Sequence, residues 1–108
     1  MRAAKQGVGQ KESAKQVGLV AFHYPSPEFR AEMLKRVRRA GEVIEAMPGC
    51  LGVDCWLDKD GAAIVTTGKW ESEQAFTAGF AAAREAGVDF TYDEREVRPR
   101  EIFRLSRA

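Results

Sequence analysis

The chain has 108 residues, 44% of them hydrophobic and 31% charged, which suits one globular domain built around a single two-layer core. A formal net charge of +1 argues against a protein that works on phosphate backbones, so no nucleic-acid partner is expected. No stretch approaches membrane-spanning length and the N-terminus lacks an apolar signal core, so the expectation is a cytoplasmic protein with no membrane partner.

Residues 1–16 carry Arg2, Lys5, Lys11 and Lys15 against Glu12 and almost no large apolar side chains. Such a segment buries too little surface to offset the entropy of ordering, which predicts a flexible tail over 1–16 and a folded domain over 17–106. Val17 to Tyr24 is an apolar run rich in strand formers. Val17, Leu19, Ala21 and His23 share one face of that strand, and Val20, Phe22 and Tyr24 share the other. Apolar side chains on both faces require that both be covered.

Pro25-Ser26-Pro27 stops the strand, with Ser26 placed to cap a helix and Pro27 to take its first position. The helix predicted from Pro27 to Ala46 carries Phe29, Met33, Val37, Ala40, Ile44 and Met47 as one apolar stripe. Arg30, Lys35, Arg38, Arg39 and Glu42 lie off the stripe as a solvated face. Pro48-Gly49 ends the helix.

Leu51 to Leu57 alternates as a strand, with Leu51, Val53, Cys55 and Leu57 facing one way and Asp54 and Trp56 the other. Cys50 and Cys55, with four residues between them, fall on opposite faces of an unbroken strand, so no disulfide is expected, and they fit no zinc spacing beside a lone histidine. Asp58-Lys59-Asp60-Gly61 supplies a hairpin. The return strand, Ala62 to Trp70, sets Ile64, Thr66, Gly68 and Trp70 on one face, and Gly68 leaves space beside Trp70 for a packed helix or a ligand.

Ser72 caps a second helix whose stripe is Phe76, Gly79, Phe80 and Ala83, and Gly87 closes it. Asp89 to Glu96 is a polar connector containing Tyr92, placed to fold over a pocket as a lid. A last strand from about Val97 to Leu105 puts Val97, Phe103 and Leu105 on one face and Arg98, Arg100, Ile102 and Arg104 on the other. The three arginines read either as anion-holding groups or as exposed strand charges. The order strand, helix, strand, strand, helix, strand predicts an α+β domain: a four-stranded antiparallel sheet with two helices on one face. The bare face, with Val20, Phe22 and Trp56, then predicts a homodimer formed sheet against sheet.

Met47-Pro48-Gly49-Cys50 running into Leu51, followed by Trp70-Glu71-Ser72-Glu73-Gln74-Ala75-Phe76, resembles the antibiotic biosynthesis monooxygenase family of the dimeric α/β-barrel superfamily. The resemblance covers about residues 17–106 and implies a ferredoxin-like βαββαβ fold, a homodimer, and a pocket between sheet and helices in each subunit. It also implies oxidation of aromatic or quinone-like small molecules by O₂ with no cofactor and no metal. Trp70 matches the strand-end Trp that lines the pocket in the family's aromatic oxygenases. Thr66 stands where those enzymes carry an Asn. The haem-degrading relatives use a His on the second helix, and none occurs here between Ser72 and Gly87.

Two residues are the catalytic candidates. His23 titrates nearest neutral pH and is read either as a structural imidazole or as a proton-transfer base. Trp70 is read either as core or as a contact for an aromatic ligand. Thr66, Gly68, Phe76, Phe80 and Tyr92 are the candidate pocket residues, although the helical spacing of the two phenylalanines favours the core over the pocket. Two functions fit: a small cofactor-independent monooxygenase, or a non-catalytic dimer that binds a small ligand or serves a stress response. An RNA-binding sheet would need exposed aromatics in a basic strand, which neither central strand has.

Overall fold

A computed structural model describes residues 14–90 and 93–108. Most of the expected tail (residues 1–13), as well as Tyr92, lies outside the described residues. The six main elements are β1 (Val17–His23), α1 (Arg30–Glu45), β2 (Cys50–Leu57), β3 (Ile64–Trp70), α2 (Glu73–Glu85) and β4 (Glu101–Ser106). The strands form one antiparallel sheet in the order β2-β3-β1-β4. Ile44 of α1 and Ala83 of α2 share a buried cluster with Val17 and Trp70, so both helices cover the same sheet face. The expected α+β architecture is the observed one.

Local chemistry explains most element ends. The Ser72 hydroxyl accepts from the Ala75 N–H at 3.0 Å, capping α2. Asp58 Oδ1 accepts from the N–H groups of Ala62 and Ala63 and holds the β2–β3 hairpin. Gly49 has φ +85, and a Cβ there would sit 2.5 Å from that of Ala75. The turn between α1 and β2 therefore requires glycine both for its backbone and for the close approach of α2.

Three details differ from expectation. Ser26 makes no side-chain cap; its N–H donates instead to the Arg95 carbonyl, and a 3₁₀ turn over Pro27–Phe29 leads into α1. The last strand begins at Glu101 rather than near Val97, because the preceding residues are taken up by a turn tied to Tyr24 and Ser26. A bulge between Cys50 and Gly52 shifts the β2 register. It sends Cys50 to the helix side, opposite Trp70, and leaves Leu51 47% exposed. Both cysteines thus face the helices, contrary to the opposite-face expectation. They remain free thiols, since their partners Trp70 and Thr66 lie four residues apart on β3, roughly 13 Å at the rise of a strand.

The far sheet face carries Val20, Phe22, Trp56, Phe103 and Leu105. Trp56 is 59% exposed and Phe103 48%. Phe103 meets Phe22 edge-on at 6.3 Å.

Candidate functional site

A cavity of about 360 Å³ lies between the helix-side sheet face, α1 and the connector after α2. Leu19, Ala21 and His23 of β1 form its floor with Thr66 and Gly68 of β3, because residues two apart on a strand share a face. Met33, Val37 and Ile44 of α1 form the opposite wall, and Phe80 and Phe90 close one end. The antiparallel register places Thr66 opposite Cys55 of β2 and Ala21 opposite Ile102 of β4, so all four strands contribute.

The expected residues divide by position. His23, Thr66, Gly68 and Phe80 border the cavity; Trp70 and Phe76 stand behind it. The Trp70 indole is fully buried, with Phe76 at 6.0 Å and Phe80 at 5.7 Å between ring centroids. Phe80 in turn meets Phe90 at 5.3 Å, so an aromatic chain runs from the core to the cavity wall. Trp70 Nε1 lies 3.9 Å from where a Cβ on Gly68 would be, so the missing side chain opens the indole's polar edge toward the cavity side.

The polar end of the cavity is built by Arg100, which the sequence offered either as an anion-holding group or as an exposed strand charge, and by Glu96, which the sequence reading did not single out. Arg100 borders it, donating to the Phe90 carbonyl at 3.2 Å and to Glu96 Oε2 at 2.5 Å. Glu96 is 4% exposed, a carboxylate that is tolerated in the interior because a guanidinium faces it. Arg36 reaches from α1 to Asp93 at 3.2 Å, and Arg95 stacks 3.7 Å above the Phe29 ring, which together fasten the connector to the helix. The signal for Arg100 was its alternation: it shares a strand face with Ile102, and one step past the Phe22–Glu101 pair it falls beside His23. Nothing local in the sequence separates it from Arg98, which lies over Tyr24, or Arg104, which pairs with Glu73.

His23 has Nδ1 buried without a hydrogen-bond partner. Burial pushes its imidazole below the ordinary value of 6.5; the charge on Arg100 acts the same way and that on Glu96 opposes it. Burial also raises the thiol of Cys55 on the cavity wall, so it behaves as a small apolar group. Among the described residues no group of three or more His, Cys, Asp or Glu side chains is arranged to hold a metal ion, and no helix is long and apolar enough to cross a membrane.

The family model for antibiotic biosynthesis monooxygenases matches residues 16–83. Comparison with curated proteins finds no match. Among solved structures, a conserved protein from Methanosarcina mazei Go1 superposes with a TM-score of 0.79 at 14% identity, covering 92% of this chain and 99% of its own. Rv0793 from Mycobacterium tuberculosis gives 0.69 at 21% identity, over 86% and 95%. A mutant of SnoaB from Streptomyces nogalater, described as a cofactor-independent oxygenase, gives 0.66 at 16% identity, over 87% and 94%. At these identities the likeness is one of fold.

Proposed function

Because the chain belongs to the antibiotic biosynthesis monooxygenase family, we propose that its cavity binds a small aromatic or quinone-like molecule and supports cofactor-independent oxygenation of that molecule. The observation that carries this reading is a 360 Å³ space, mostly apolar, with a half-buried imidazole and an ion-paired guanidinium at one end. That volume sits at the low end of small-molecule sites and suits a ligand of two or three rings.

The chemistry requires an electron-rich substrate with an acidic C–H next to an aromatic ring. Once ionised, the substrate passes an electron to O₂; recombination forms a C–O bond, and loss of water leaves a carbonyl. A methylene and one O₂ thus become a ketone and one H₂O, with both hydrogens in the water. The protein's part is to exclude bulk solvent, hold the ring plane between α1 and the sheet, and meet the substrate oxygen at His23. Trp70 supports the wall through Phe80 rather than forming it.

The same reading includes self-association through the apolar face of Val20, Phe22, Trp56, Phe103 and Leu105, whose exposure in a lone chain is unfavourable. Two unpaired thiols support a reducing, cytoplasmic setting.

An oxygen electrode tests the activity, using metal-stripped protein with a panel of anthrones and related aryl ketones that carry a benzylic methylene. The expected result is one O₂ consumed per ketone formed, with uptake lost when Thr66→Phe fills the cavity. Thermal stabilisation by the same compounds with no oxygen uptake would replace this reading with the non-catalytic ligand binder.

A further inference from the structure

Building on that reading of the cavity, we infer that His23 serves as a hydrogen-bond donor and not as a base: Nε2–H is offered to a carbonyl oxygen, so the site selects aryl ketones and quinones over plain phenols. The argument begins with the ring nitrogen that has no partner. Nδ1 is buried and nothing accepts from it or donates to it. His23 borders the cavity, which leaves Nε2 as the nitrogen able to meet a ligand.

A neutral imidazole has one N–H to place. On Nδ1 it would be a buried donor with no acceptor, the rarer and costlier of the two defects in folded proteins. On Nε2 it meets water or ligand, and the Nε2–H form is also the one imidazole prefers in water. An imidazolium would need both N–H groups, and so would always carry the stranded one at Nδ1. A base must pass through that cation each time it accepts a proton. The neighbouring Arg100 guanidinium adds a positive charge that opposes it further, and Glu96, which favours it, is engaged with Arg100.

The residue thus suits an acceptor oxygen. A carbonyl fits best; a hydroxyl oxygen also accepts, but more weakly, and its own O–H must then find an acceptor elsewhere. Leu19, Ala21, Met33, Val37 and Phe80 give the rings an apolar bed, and of the charged lining residues Arg36 and Asp93 are paired with each other.

Two ligands of equal size separate the roles: 1-tetralone presents only a carbonyl acceptor, whereas 1-naphthol presents a hydroxyl that donates well and accepts more weakly. Dissociation constants are measured by calorimetric titration for the wild type, His23→Ala and His23→Gln. The amide N–H of His23→Gln stands in for Nε2–H. The expected result is that His23→Ala weakens 1-tetralone by roughly threefold to tenfold, the net value of one hydrogen bond. His23→Gln retains most of that affinity, and 1-naphthol, the weaker acceptor, is weakened less than 1-tetralone throughout. Selective weakening of 1-naphthol, equal weakening of both, or indifference of both to residue 23 would each overturn the inference while leaving the cavity reading intact. Failure of the wild type to bind either compound would overturn both.

Discussion

His23 terminates β1, next to the buried Glu96–Arg100 pair, and its ionisation is set by where the chain puts it. The charges that act on it are those of Arg100 and Glu96, and Arg36, Arg38, Glu42 and Glu45 of α1 with Asp89 and Asp93 of the connector line the same cavity. In the fold its imidazole is held below 6.5; in the unfolded chain it titrates at that ordinary value. The unfolded chain therefore takes up the proton first, so this contribution to stability is complete above pH 6.5 and is lost as pH falls below it. Asp93, held down to about 2 by hydrogen bonds from Arg95, stays ionised across this range and adds no slope of its own. The prediction is that the melting temperature of the wild type drops more between pH 7.5 and 5.5 than that of His23→Gln, read by scanning calorimetry. Parallel curves for the two proteins would show that the imidazole is not desolvated as described.

At the scale of elements, α2 packs closely on β3. A Cβ on Gly79 would stand 2.3 and 2.4 Å from two ring carbons of Trp70, an indole with no exposed surface. Alanine improves helix propensity by up to about 1 kcal/mol, whereas overpacking costs about 1–3 kcal/mol. Gly79→Ala is thus expected to lower stability by about 1–2 kcal/mol, measured as a reduced urea midpoint with unchanged slope; a gain in stability would refute the packing described here. The periodic stripe over Phe76, Gly79, Phe80 and Ala83 already identified this face of α2, because a regular helix makes its buried side visible as spacing. The inward face of β3 was legible in the same way. The start of β2 was not: one extra residue at Leu51 reverses the alternation, and Gly52, the residue type inside the strand that can mark a bulge, was not read as one. The connector was equally opaque, since Glu96 read as part of a polar linker and Arg100 could not be told from Arg98 and Arg104 until the fold turns the pair toward each other.

For the molecule as a whole, the two sheet faces have opposite fates. One is closed by α1 and α2, and the other leaves Trp56, Phe103 and Leu105 about half exposed. With the proposed pairing through that face, the protein is expected to sediment as a dimer at micromolar concentration. Phe103→Glu places a charge in the middle of the contact and is expected to shift it to monomer, weakening association at least ~tenfold with little change in far-UV dichroism. A wild type that sediments as a monomer would defeat the pairing. The apolar residues of both faces were apparent from alternation alone, whereas the cavity depended on Arg100, His23 and Phe90 converging from distant parts of the chain.

The residues that line the cavity lie on the helix side of the sheet, away from the exposed apolar face. Holding a ligand and holding a twin therefore draw on different side chains of the same strands, so a change that tunes one task need not disturb the other.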